Sequence, residues 1–137
     1  MAIAKVFLGG TCNGSHWRDQ LIPMLRCGYF NPVVAEWTPE CLAEEVRQRD
    51  ECDVCLYTIT PKMTGFYSIA EVVEDSIKRP SKTVFCVIDE DDGLVFTAVQ
   101  MKSLRAVGAM VESNTGRPPI YSLNDLAGFL NSRWGQA

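Results

Sequence analysis

A chain of 137 residues with 47% apolar and 22% charged side chains has the balance of one folded globular domain, which excludes collagen-like and disordered chains. Its 13 Lys and Arg against 17 Asp and Glu leave a formal charge of −4, and no basic cluster is present to displace the counterions of a nucleic-acid backbone, so no nucleic-acid polymer is expected as a partner. No apolar run reaches the roughly 18 to 20 residues that span a bilayer, and Met1 to Leu8 runs into Gly9-Gly10 without a signal-peptide layout; no membrane partner and a cytoplasmic location are expected.

In chain order, Ala4-Lys-Val-Phe-Leu8 is a short apolar run stopped by Gly9-Gly10, which predicts a buried first strand ending in a loop. The loop Gly9-Gly-Thr-Cys-Asn-Gly-Ser15 leads into a helix expected from about His16 to Arg26, before Gly28 breaks it. Asn31-Pro-Val-Val-Ala-Glu36 is expected as the second strand. Thr38-Pro39-Glu40 combines an N-cap residue, a proline at the first helical position and an early acid, so a helix is predicted from about Pro39 to Arg49. Val54-Cys-Leu-Tyr-Thr-Ile59 is continuously apolar, as a strand covered on both faces must be. After the loop Thr60-Pro-Lys-Met-Thr-Gly65, Ser68-Ile-Ala-Glu71 opens a helix in which Ile69, Val72, Val73 and Ile77 share one face. Thr83-Val-Phe-Cys-Val-Ile88 is the fourth strand, followed by the acidic loop Asp89-Glu-Asp-Asp-Gly93 and a helix from about Thr97 to Glu112. A short strand at Ile120-Tyr121 and a last helix from Leu123 to about Asn131, started by Ser122 and Asp125, complete the chain.

Five strands alternating with helices, without repeats or low-complexity segments, predict a single α/β domain over 1–137. The expected architecture is a flavodoxin-like (Rossmann-like), doubly wound, mostly parallel five-stranded sheet of order 2-1-3-4-5. Six cysteines invite a disulfide or zinc framework, but the one close pair, Cys52 and Cys55, has no second pair, and His16 is the single histidine. Buried apolar thiols and no metal are expected instead.

Ligands on such sheets bind beyond the carboxyl ends of the strands, at the switch point between strands one and three. The segments Gly9 to Trp17, Thr60 to Glu71 and Asp89 to Gly93 converge there, whereas Asp53 lies at the opposite end as a structural acid. Glu71 falls in the first turn of its predicted helix, where the positive end of the dipole favours a carboxylate able to attack an electrophilic carbon. Ser68-Ile-Ala-Glu71 equally matches a capping box, in which both side chains serve the helix end; the two roles are compatible. Gly9, Gly10, Thr11 and Asn13 offer a close backbone approach and polar donors to a sugar or phosphate, or else are turn residues. Trp17 is a candidate to stack on a base and Arg18 to clamp an anion, with packing and surface solvation as the alternatives. Thr64, Gly65 and Ser68 border the same loop, Tyr67 offers a hydroxyl to a carboxylate, and Asp89 offers one to sugar hydroxyls.

The segments Lys5-Val-Phe-Leu-Gly-Gly10, Cys52-Asp-Val-Cys-Leu-Tyr57 and Thr64-Gly-Phe-Tyr-Ser-Ile-Ala-Glu-Val72 together resemble the nucleoside 2-deoxyribosyltransferase-like family. The resemblance implies a flavodoxin-like fold and cleavage of the N-glycosidic bond of a nucleoside or nucleotide, with no cofactor. Glu71 would be the nucleophile at the anomeric carbon and Glu45 the acid that positions the base. Phe7 stands where the family usually carries an aromatic hydroxyl, so Tyr67 or Tyr57 would orient the nucleophile, and Lys62-Met-Thr-Gly-Phe-Tyr67 lacks the family's acid before it. The resemblance also implies a homo-oligomer, at least a dimer, in which a neighbour covers the cleft and the Tyr121 to Trp134 segment contributes. Two alternatives remain open at this level: a non-catalytic nucleotide-binding or sensing module in the same cleft, and a flavodoxin-type flavin protein suggested by Thr11-Cys-Asn-Gly-Ser15.

Overall fold

The computed structural model describes residues 3–137; Met1 and Ala2, the beginning of the segment inspected above for a signal layout, lie outside the described residues. Four strands form one parallel sheet of order β2-β1-β3-β4: β1 Lys5–Gly10, β2 Gly28–Phe30, β3 Val54–Ile59 and β4 Thr83–Val87. The helices are α1 Trp17–Leu21, α2 Pro39–Glu51, α3 Tyr67–Lys78, α4 Ala98–Thr115 and α5 Leu123–Trp134. None of them, among the described residues, is long and apolar enough to cross a membrane.

Alternation along the strands divides the core into two layers. On one face Val6, Leu8, Val54, Leu56, Val84 and Cys86 pack with Trp17 and Leu21 of α1 and Leu126, Ala127 and Leu130 of α5. On the other, Phe7, Cys55, Tyr57, Ile59, Phe85 and Val87 meet Val72 of α3 and Leu104 and Val111 of α4. Every residue of β3 is buried, which is why its sequence shows no polar face. All six cysteines are free thiols; Cys52, Cys55 and Cys86 are buried, and desolvation pushes Cys55 and Cys86 up to about 12, whereas Cys12 is exposed. No group of His, Cys, Asp and Glu suited to a metal ion occurs among the described residues.

The expected order holds across four strands, and the departures from the sequence reading have local causes. The second strand is Gly28–Phe30, not Asn31–Glu36: Gly28 N–H donates to the Ala4 carbonyl at 2.7 Å, and Pro32, without an N–H, cannot extend the ladder. Residues 31–38 form no strand, and Pro32 and Trp37 stand beside Gly9 and Gly10 at the carboxyl end of β1. The first α-helix stops at Leu21 and tightens into a 3-10 turn, Ile22–Met24, because Pro23 lacks the donor that another helical turn needs. The fifth strand shrinks to one bridge, Ile120 beside Cys86, directly after Pro118 and Pro119. The acidic loop after β4 is a small hairpin, β5 Glu90–Asp91 and β6 Leu94–Val95, turned by Asp92 and Gly93 at φ 50° and 83°. A Thr97–Gln100 capping box starts α4 and Ser122 caps α5, which runs on to Trp134. The apolar side of α5 is therefore committed to the chain's own core.

Candidate functional site

The carboxyl end of β1 is built around a close approach to β3. A Cβ on Gly9 would sit 2.8 Å from the rings of Phe7 and Tyr57, and one on Gly10, at φ +121°, would sit 2.0 Å from the Thr58 carbonyl oxygen. Both glycines are thus required by strand packing, before any ligand is considered. The loop after them is pinned from below: Trp17 Nε1 donates to the Thr11 carbonyl at 2.8 Å. Arg18 donates to the carbonyls of Leu8, Thr11 and Gly10 at 2.9, 2.7 and 3.2 Å. The Thr11 hydroxyl accepts from Thr60 N–H at 3.0 Å. Trp17, 2% exposed, is a floor to the loop and has no face for a base, which corrects the stacking role expected of it.

Three loops are tied together above this floor. Asn13 Nδ2 donates to the Lys62 carbonyl at 3.0 Å and to the Thr64 hydroxyl at 2.6 Å. Ser15 and Thr60 hydroxyls both donate to Asp91, at 2.5 and 2.7 Å, and Lys62 pairs with Asp92. The acidic segment therefore acts as a strut through Asp91 and Asp92, while Asp89 is exposed and lies off the cleft.

Between these loops and α2 lies a cavity of about 270 Å³ lined by Phe7, Gly9, Gly10, Cys12, Arg18, Pro32, Trp37, Leu42, Glu45, Tyr67, Ser68 and Glu71. A shallower annexe of about 140 Å³ shares Gly10, Cys12, Tyr67 and Ser68 and adds Thr11, Asn13, Met63 and Gly65. The sequence-predicted residues Glu71, Glu45, Tyr67, Gly9, Gly10, Arg18 and Ser68 are thus brought to one cavity, and Thr11, Asn13 and Gly65 to its annexe. Thr64 reaches the annexe only through its bond to Asn13. Trp37, Pro32 and Leu42 were not foreseen; the signal available was a tryptophan between Pro32 and the Thr38-Pro39 helix start, in a segment that reads as a strand.

The Glu71 environment differs from the expected one in two respects. α3 begins at Tyr67 with Phe66 as N-cap, no side-chain cap and no acid in the first turn, so Ser68 and Glu71 lie inside the helix and form no capping box. The helix dipole is weaker at Glu71's second-turn position. Burial dominates instead: the side chain is 13% exposed, and desolvation, with Glu45, Asp75 and Glu74 nearby, pushes the carboxyl up to about 7 against the attraction of Arg49. Glu45 is likewise raised by burial, opposed by Arg49, by a hydrogen bond from Trp37 and by Arg18.

Arg49, at the end of α2, stands between these acids. Its guanidinium lies 3.5 Å from Glu71 Oε2, 2.9 Å from Glu74, and 3.1 and 2.9 Å from the two oxygens of Asp75. Asp75, fully buried, also accepts from the Tyr57 hydroxyl at 2.5 Å and from Arg79 at 2.6 Å. Burial opposes the charge on Asp75, yet the bonds from Arg49 and Tyr57 hold it below the usual carboxylate range. The Tyr57 hydroxyl is therefore spent on Asp75, and Tyr67, 63% exposed, makes no side-chain hydrogen bond among the described residues.

A family model described as nucleoside 2-deoxyribosyltransferase like matches residues 3–91, more than half of the chain. The match contains β1 to β4 and every residue that lines the cavity and its annexe. A search of the curated proteins finds no match.

Proposed function

The chain belongs to the nucleoside 2-deoxyribosyltransferase-like family, and from that premise we propose that it cleaves the N-glycosidic bond of a nucleoside or nucleotide in the cavity between α2 and α3. Glu71, as the carboxylate, attacks the anomeric carbon while the bond to the base breaks and its electron pair leaves on the base nitrogen. Glu45, entering protonated, donates to that nitrogen. The product of this half is a free base and a glycosyl ester on Glu71. Water or a second base then attacks the same carbon, Glu45 takes the proton, and the Glu71 carboxylate is released. Configuration is retained through the two displacements, each with an oxocarbenium-like transition state.

The observation that carries this proposal is the pair of partly buried carboxyl groups, Glu45 and Glu71, lining one cavity from two helices with raised proton affinities. Phe7, Leu42 and Trp37 line the same space with apolar surface suited to a base, and the annexe supplies Asn13, Thr11 and Ser68 for a sugar. Incubation with deoxynucleosides, ribonucleosides and their monophosphates, followed by chromatography, should reveal released base. Glu71→Ala should lower that rate by about a thousandfold or more; a variant that keeps the rate refutes the assignment.

A nucleotide-binding module without turnover is the second reading, favoured by the absence, among the described residues, of any hydroxyl bonded to Glu71. Saturable binding with no base release from any member of the panel would select it.

A further inference from the structure

We propose that Arg49 is a positioning residue for Glu71, anchored by Asp75 so that its guanidinium holds one oxygen of the Glu71 carboxylate and leaves the other facing the cavity. The inference rests on the proposed role of Glu71 and deepens it. Arg49 is 7% exposed in its side chain, and its fork is fixed before Glu71 is considered, by bonds to both oxygens of the fully buried Asp75. Asp75 is itself held by the Tyr57 hydroxyl on β3 and by Arg79 on α3. What remains available on Arg49 is Nη1, 3.5 Å from Glu71 Oε2, the one ion pair that Glu71 makes among the described residues. Glu71 and Asp75 lie one helical turn apart on α3, so a single cation from α2 spans the anchored acid and the reactive one.

Electrostatics give the arrangement its purpose. The acids that face Glu71 are Glu45 on α2 and Glu74 and Asp75 on α3, with the neutral Tyr57 on β3; the cation is Arg49, while Arg18 of α1 acts on Glu45. Three carboxyl groups thus disfavour a negative Glu71 and one guanidinium favours it. Without Arg49, burial and the three acids would be unopposed, and the ionised fraction of Glu71 at neutral pH would fall. Because its hold on Asp75 and Glu74 is shorter than its contact to Glu71, Arg49 favours the charged carboxylate without locking it into a tight bidentate pair.

The test follows the Glu71 side-chain carbon by NMR in full-length protein with ¹³C-labelled glutamate, the signal being assigned with Glu71→Gln. Arg49→Met should raise the Glu71 midpoint by about one pH unit or more, equivalent to a tenfold gain in proton affinity. Arg49→Lys, whose ammonium is committed to Asp75 and has no fork, should give a smaller rise. Arg79→Met, which strips a different cation from Asp75, should lower stability but leave the Glu71 midpoint in place. If Arg49→Met does not fold, the shift in Arg49→Lys decides. An unchanged Glu71 midpoint in the folded Arg49 variants overturns the proposal, as does an equal shift in Arg79→Met. In turnover, the acid limb of kcat should move upward with the NMR midpoint while KM changes little. A shifted midpoint in a protein that releases no base sustains the role of Arg49 and overturns the proposed reaction alone.

Discussion

Glu71 carries opposite requirements in stability and in chemistry. Its folded carboxyl is pushed up to about 7 by burial, against 4.5 for the ordinary group, so the folded state holds a proton that the unfolded state has released. Stability from this group is therefore present in full below about 4.5 and is lost as pH rises through about 7. Glu71→Gln, which keeps the shape without the charge, should be more stable than wild type at pH 8.5 by roughly 1–3 kcal/mol and nearly equal to it at pH 4. Urea unfolding at the two pH values measures this, and a wild type no less stable than the variant at high pH contradicts it. At this scale the place of Glu71 at the cleft was legible in the sequence, because a glycine-containing loop leads into its helix, but its first-turn position and capping box were not found. Arg49 and Asp75 were not legible. They are 26 positions apart, and each reads locally as a solvated helix charge until the α2, β3 and α3 packing brings them together.

The elements that the sequence predicted well were those whose signal is local: β3, with its unbroken apolar run, and α2, with Thr38 capping the Cys41 N–H and Pro39 at its first position. Those it misplaced depend on a partner. The apolar Val33-Val34 pair suggested a strand, but β2 is set by Gly28 pairing with β1, and this releases the following segment to carry Trp37 to the cavity. The turn at the end of β1 is the most constrained element of the site. Gly10 combines φ +121° with a Cβ position 2.0 Å from backbone, so Gly10→Ala must open the β1–β3 ladder where the cavity floor is formed. A loss of roughly 2–4 kcal/mol is expected, well above the usual effect of a glycine to alanine change. Gly14→Ala, also at positive φ but with nothing within 4 Å of the added Cβ, should cost about 1 kcal/mol. Thermal unfolding of the two variants distinguishes a close approach from backbone conformation alone, and equal losses would remove the argument from packing.

At the scale of the whole molecule, the proposed reaction demands that water be kept from a glycosyl ester. Among the described residues, no strand or helix beyond those that line the cavity lies over it. At its lining Trp37 and Tyr67 are 59% and 63% exposed, and Phe66, the N-cap of α3 next to Tyr67, is 76% exposed, so they form an apolar rim. An apolar rim beside a cleft marks an interaction surface, and we propose that another copy of the chain is what covers it. The segment from Tyr121 to Trp134 is a poorer contributor than its sequence suggests, because Leu126, Ala127 and Leu130 are already buried in the chain's own core. The expected assembly is a homodimer joined through the rim, and light scattering during size exclusion should give twice the chain mass. Phe66→Glu, before α3 and outside the cavity lining, places like charges in both halves of such an interface and should yield a folded monomer. In that monomer the transfer of sugar to an added base should fall relative to hydrolysis, since water then reaches the ester freely. A wild-type monomer that transfers sugar would mean that the cavity shields its intermediate unaided, and would place the barrier to water in Trp37 and Tyr67 themselves.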